Sequence, residues 1–175
     1  MIRTERLRLL PVREEDKNAL HAIYGDPNTV RYLTEEAWTA STVNKAFQKK
    51  LEFSRRQDAF FYVITLQGMR IGTVSAWHTA MKDTWEIGYV LHASYRHKGY
   101  ALEAVCAVID ELFARDDVHR ITACMDARNI PSARLCKRAG MRLEAHYIQD
   151  FWNKDEWTDS YVFGLLRDEY LAEDE

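Results

Sequence analysis

Residues 85–91 alternate. Trp85, Ile87, Tyr89 and Leu91 stand on one side, Glu86, Gly88 and Val90 on the other. A period of two predicts a half-buried strand. The beat changes after a short basic loop, Arg96-His97-Lys98-Gly99. From there Leu102, Val105, Cys106, Ile109, Leu112 and Phe113 recur at helical spacing and predict an amphipathic helix. Residues 2–10 alternate polar and apolar up to Pro11, which predicts a first strand stopped by proline. Residues 14–24 place Leu20, Ile23 and Tyr24 on a helix face, and Gly25-Asp26-Pro27-Asn28 is a turn into a short helix over 30–33. A longer helix is expected over 39–56, capped by Thr39 or Ser41, with Val43, Phe47, Leu51 and Ser54 on one face. Residues 59–66 form a nearly continuous apolar run, the mark of a strand covered on both sides. Gln67-Gly68-Met69-Arg70 turns the chain back into a strand over 71–79. Beyond the central helix come a strand over 120–125, a short helix over 131–138 closed by Gly140, and a hairpin. Its strands cover 141–151 and 156–166 and turn at Asn153-Lys154-Asp155.

This order predicts an α+β fold: a single mixed, mostly antiparallel sheet flanked by helices, one domain over residues 1–175. No repeat or linker interrupts it, and the chain ends in the acidic Glu173-Asp174-Glu175. At 47% hydrophobic and 29% charged, the 175 residues suit a soluble core without staples. No apolar run reaches the length of a membrane span and no charged-then-apolar leader opens the chain, so no membrane partner and a cytoplasmic location are expected. A net charge of -3 with only short basic clusters argues against nucleic acid as a partner. Cys106, Cys124 and Cys136 form no metal-ligand pair and are expected as reduced core thiols. No two histidines stand at i, i+4, so no metal is expected. A homodimer is left open.

The candidate chemistry gathers at two places. A strand, a glycine-bearing loop and a helix N-terminus together suit a phosphorylated ligand. Unpaired backbone N–H groups point outward there, the helix dipole adds positive potential, and Arg96, His97 and Lys98 add more. Neither a P-loop nor the Gly-x-Gly-x-x-Gly dinucleotide fingerprint is present. The second place is Asn129-Ile-Pro-Ser132, which reads first as a helix cap with Pro131 in the first turn. Glu86 faces away from Trp85, Ile87 and Tyr89, so it is either a carboxylate in a cleft or a plain exposed strand residue.

With Glu-Ile-Gly-Tyr before it and Tyr-Ala-x-Glu-Ala after it, the loop resembles the acetyl-CoA signature of the GNAT N-acetyltransferase superfamily. The segment from Asn129 to Gly140-Met141 resembles the branch containing ribosomal-protein N-terminal (alanine/serine) acetyltransferases, with Met141 in place of the usual Phe. The opening Thr-Glu-Arg-Leu-Arg-Leu-Leu-Pro-Val and the closing Trp157, Asp159 and Tyr161 are similar to that branch too.

The resemblance implies a GNAT fold and direct transfer of acetyl from acetyl-CoA to an amine. It implies pantetheine pairing along Tyr89, Val90 and Leu91, with an oxyanion donor among the N–H groups near Tyr89 or Val90. It places the pyrophosphate at Arg96, His97, Lys98, Gly99, Tyr100 and Ala101, and Asn129 at the pantetheine or acetyl region. Ser132 is the implied acid beside the CoA sulfur and Glu86 the implied base, acting through water. Many GNAT enzymes carry an acid tyrosine seven residues after the Asn position, where this chain has Cys136; a core role is preferred for that thiol. Trp77, His78, His146 and Asp150 are candidates for the acceptor side, with packing or surface placement the preferred reading for each. The branch also holds acetyltransferases of small amines and antibiotics, so a protein N-terminus, a polyamine and an aminoglycoside-like amine all stay open. Another acyl group, or a non-catalytic CoA-binding module, is the alternative.

Overall fold

A computed structural model describes residues 1–172; the acidic residues 173–175 lie outside the described residues. Eight strands run in chain order as β1 (Ile2–Arg3), β2 (Leu7–Pro11), β3 (Ala59–Leu66), β4 (Met69–His78), β5 (Thr84–Leu91), β6 (Arg120–Asp126), β7 (Arg142–Asn153) and β8 (Glu156–Leu166). The helices are α1 (Lys17–Tyr24), α2 (Pro27–Val30), α3 (Val43–Ser54), α4 (Tyr100–Phe113), α5 (Ile130–Arg138) and α6 (Arg167–Ala172). One sheet takes the order β1-β2-β3-β4-β5-β6-β8-β7. Every neighbouring pair is antiparallel except β5 with β6. The expected mixed, mostly antiparallel sheet is therefore present.

Helices cover both faces, and β3 shows why its sequence is apolar throughout. Ile64 packs into the cluster under α4 with Val105, Ile109 and Leu112, while Phe61 and Val63 pack against Leu20, Ile23 and Phe47 of α1 and α3. Period two sorts β5 in the same way. Trp85, Ile87 and Leu91 enter the α4 cluster, and Glu86, Gly88 and Val90 face the α1 and α3 side.

Several boundaries differ from expectation, each for a local reason. The first strand is two strands, because the Thr4 hydroxyl accepts the Leu7 N–H (2.9 Å) and folds β1 back onto β2. As expected, β2 ends at Pro11, which sits in its last pair, opposite Tyr62. The short helix begins earlier, at Pro27, where Asp26 accepts the Asn28 N–H (3.0 Å) as its cap. α3 begins at Val43 rather than residue 39. The Thr39 N–H donates to the Thr42 hydroxyl (2.9 Å) and the Thr42 N–H to the Thr39 hydroxyl (3.3 Å), a reciprocal cap on the turn that leads into the helix. A short 3-10 turn, Ala93–Tyr95, precedes the basic loop, and α6 was not expected at all.

Candidate active site

The backbone of β5 treats its two neighbours differently. Along β4 the ladder is complete from Gly72–Leu91 to His78–Trp85. Its phase is set at both ends: His92 N–H bonds to the Ile71 carbonyl (2.9 Å) and Thr79 N–H to the Thr84 carbonyl (2.9 Å). Hydrogen-bonded and non-bonded pairs alternate in an antiparallel ladder. Glu86, Gly88 and Val90 therefore direct their N–H and C=O groups to β4, and Tyr89 and Leu91 direct theirs to the opposite side. On that side β6 pairs only with Thr84, Trp85 and Glu86. Beyond Glu86 no described strand meets the Tyr89 and Leu91 amides. Of the two oxyanion donors considered, the Val90 N–H is committed to β4, and Val90 offers the gap its side chain alone.

At the far end of this gap lies a cavity of about 430 Å3, lined among others by Leu91, Arg96, His97, Gly99, Tyr100 and Ala101. His97 (φ 62°) and Gly99 (φ 83°) are both left-handed, and Gly99 is the N-cap of α4. Such a turn of successive N–H groups at a helix start is an anion cradle. A side chain at Gly99 meets conformational strain, and its Cβ lies 3.3 Å from Nη2 of Arg6. Arg6 braces the loop, donating to the Lys98 carbonyl (3.1 Å) and pairing with Glu103 in the first turn of α4 (2.7 Å).

The basic side chains divide. Arg96 is tied to the Leu91 carbonyl (3.3 Å) and the Thr29 hydroxyl (3.1 Å) at the cavity wall. Lys98 turns away to the Ser94 carbonyl (3.0 Å), so it brings only its backbone to the loop. Arg134 and Arg138 of α5 also line the cavity and went unnoticed in the sequence. Their i, i+4 spacing was the available signal.

Asn129 and Ser132 reach the same cavity. Asn129 is the cap of α5, its side-chain oxygen accepting the Ser132 N–H (3.3 Å). The Ser132 hydroxyl lies 2.7 Å from the Tyr89 hydroxyl, which is itself 3.4 Å from the Cys136 sulfur. Tyr89 thus crosses from β5 to α5, a role for its side chain that the strand pattern did not announce. Burial pushes the Tyr89 phenol well up, and burial likewise pushes the Cys136 thiol up to about 11. Cys136 is fully buried and lines neither cavity. Of the other expected core thiols, Cys106 is half-buried and Cys124 is exposed at the rim of the cavity described next. β6 parts from β5 after the Glu86–Thr122 pair, so Cys124 has β8 on one side and no described strand on the other.

On the α1 and α3 side a second cavity, about 890 Å3, adjoins the first at Tyr32, Leu33, Tyr89 and Val90. Glu86 opens into it without an ion pair, and burial raises its carboxyl above the ordinary range. Trp77 lines this cavity, whereas His78, His146 and Asp150 do not. The register explains His78: it pairs with Trp85 on the α4 face, edge-on to that ring at 5.9 Å. His146 is held by Asp159 (3.2 Å) on the outer hairpin strand. The hairpin tip closes one wall, Lys154 donating to the Val30 carbonyl (2.6 Å) and Asn153 to the Leu33 carbonyl (3.3 Å).

A split strand edge, an anion cradle at a helix start and a second cavity beyond that edge define an acyl-transfer enzyme with a CoA-type donor. The acetyltransferase (GNAT) domain family matches residues 6–142, and the chain belongs to that family. It is an acetyl-CoA-dependent acetyltransferase, with acetyl-CoA as co-substrate. Over 169 residues it is 31% identical to the uncharacterized N-acetyltransferase YnaD of Bacillus subtilis, a match covering 97% of this chain and 98% of that one. A GNAT-family acetyltransferase structure from Bacillus anthracis superposes with a TM-score of 0.86 at 27% identity, covering 95% of this chain and 98% of the other. The fold is also that of RimL, a ribosomal alpha-N-protein acetyltransferase solved with coenzyme A. There the TM-score is 0.84 at 20% identity over 93% of this chain and 95% of that one. Among the described residues no helix is long and apolar enough to cross a membrane.

Proposed function

We propose that residues 1–175 act in the cytoplasm as one catalytic domain that transfers acetyl directly from acetyl-CoA to a primary amine. The observation that carries this reading is the divided edge of β5. Tyr89 and Leu91 offer backbone amides along a gap with Glu86 on one side and Ser132 on the other. The cradle from His97 to Ala101, with Arg134 and Arg138 beside it, suits the pyrophosphate, and the Tyr89 and Leu91 edge suits the amide-bearing pantetheine arm. Bound there, acetyl-CoA supplies an activated thioester.

The residues then divide the work. Glu86, raised by burial, takes a proton from the bound ammonium through water and leaves the neutral amine, which attacks the thioester carbonyl. The Tyr89 N–H stabilises negative charge developing on the carbonyl oxygen, a kind of contact worth about 10²–10³ in rate. The Ser132 hydroxyl, oriented by Tyr89, hydrogen-bonds the departing thiolate and delivers its proton, and the second proton shed by the acylated nitrogen restores the hydroxyl.

Direct transfer requires both substrates to be bound together. Initial rates over a grid of acetyl-CoA and amine concentrations are expected to give intersecting double-reciprocal lines. Parallel lines would overturn direct transfer. Tight CoA binding without turnover on any amine would overturn the enzyme reading in favour of a CoA-binding module.

A further inference from the structure

The cavity on the Glu86 side is far larger than an amine needs. At about 890 Å3 it lies in the range that encloses a drug-sized ligand. Its body is aromatic and pre-packed: Tyr24 stacks on Trp38 with centroids 4.8 Å apart, and Phe53 stands edge-on to Phe61 (6.5 Å) and Trp77 (6.0 Å).

The charges around this body fall into two sets. One set is already neutralised within the wall. Glu35 holds Lys50 (2.6 Å) and accepts from the Trp38 indole N–H (2.8 Å), while Asp126 is held by Arg128 (2.7 Å). The other set has no ion-pair partner among the described residues: Glu86 in the floor, and Lys45, Lys49 and Glu36 at the mouth. Lys45 and Lys49 stand at i, i+4 on α3, on one face. α3 packs on β3, and β3 lies two strands from β5 in the sheet order. The lysines thus stand at the mouth on the helix above β3, and Glu86 lies in the floor on β5.

A carboxylate in the floor, two ammonium groups at the mouth and aromatic rings in the wall are complementary to a particular kind of molecule. We propose that the acceptor is a short peptide or peptide-like amine: a primary amine at the Glu86 end, an apolar or aromatic body, and an anionic group at Lys45 and Lys49. A polyamine fits badly. Its second cation would meet two lysines and one exposed glutamate, because Glu35 and Asp126 are already paired. This inference rests on the acetyltransferase reading above and specifies its acceptor.

The test uses the full chain with acetyl-CoA, reading release of the CoA thiol, and three acceptors: the tripeptide Ala-Phe-Ala, its C-terminal amide, and spermidine. The acid is expected to exceed the amide about tenfold in kcat/KM, the scale of one charge-assisted hydrogen bond. The K45Q/K49Q double variant is expected to bring the acid down to the amide's level. It should leave the amide and the KM for acetyl-CoA unchanged, since both lysines are exposed. Equal rates on acid and amide would overturn the anion-binding role. Spermidine as the best acceptor, or turnover of other amines with neither peptide used, would overturn the substrate class while leaving an acetyltransferase. Silence on every amine, with acetyl-CoA still bound, would instead overturn the enzymatic reading itself.

Discussion

The two cavities that meet at Tyr89 and Val90 are built by different means. The cavity proposed for the donor draws on four short runs of chain, residues 28–33, 89–91, 96–102 and 129–138, and much of its capacity is backbone: strand-edge amides and a helix N-terminus. The acceptor cavity is assembled from side chains scattered from Tyr24 to Ser160. A diphosphate and an amide-bearing arm are recognised by groups every residue carries, so the chain need only supply the right turn. An amine with its own body is recognised by side chains, which a single segment cannot provide. Substitutions on the two sides are therefore expected to separate kinetically, and Glu86 and Ser132, one on each side, to govern the chemistry between.

The largest effect is expected from Ser132→Ala. Removing a general acid lowers kcat about 10²-fold, with acetyl-CoA affinity by calorimetry little changed. Tyr89→Phe, which removes only the hydroxyl 2.7 Å from Ser132, should cost less. If the two variants lose kcat equally, the hydroxyls act as one unit and Ser132 cannot be separated as the acid.

Glu86→Gln comes next. Wild-type rate should fall as pH drops through a carboxyl value raised by burial, and the variant should lack that limb. Its deficit should be largest near neutral pH and shrink once pH passes the amine's own value, about 8 for an α-amine and about 10 for a lysine-like one. The stability sign runs the other way. A carboxyl whose folded value is raised favours folding only while protonated, and that advantage is lost as pH rises through the folded value. Melting of Glu86→Gln at pH 7–8 should therefore match or exceed wild type. A lower melting point, or a pH-independent rate deficit, would make Glu86 a structural or positioning residue.

Gly99→Ala is smaller again. At φ 83° any side chain costs about 1 kcal/mol or more, and its Cβ would press on Arg6. The expected result is a several-fold rise in KM for acetyl-CoA with the amine's KM unchanged. Equal rises in both would show that the loop does not serve the donor cavity alone. Cys136→Ala should be nearly neutral in kcat per folded molecule, though less stable, because the thiol is buried and protonated. A large kcat loss would move the acid role to Cys136.

Legibility in the sequence followed the same division. The alternation at residues 85–91, the loop to Gly99 and the Asn129 cap are local patterns, and each lies where its spacing placed it. Gly140, expected to close α5, does so at φ 81°. What stayed hidden depends on pairs distant in sequence. That the Tyr89 side chain meets Ser132, 43 residues on, follows from the separation of β5 and β6, which no periodicity encodes. The aromatic wall was hidden because each ring, taken singly, looks like core. Trp77 and His78 were both acceptor-side candidates with packing as the alternative, and adjacent strand residues face opposite ways, so only Trp77 lines the cavity while His78 packs on Trp85.

One strand of this sheet should also keep two clocks. Gly88 and Val90 bond their amides into β4, whereas Tyr89 and Leu91 direct theirs to the gap beyond Glu86. In deuterated solvent, protected amides wait for the sheet to open, but unpaired ones exchange from the folded molecule. From Gly88 to Leu91, neighbours along a single strand should therefore lose their NMR signals slow, fast, slow, fast. Added acetyl-CoA should slow the fast pair and leave the slow pair where it was, so the donor substrate would register as the missing neighbour of a half-paired strand.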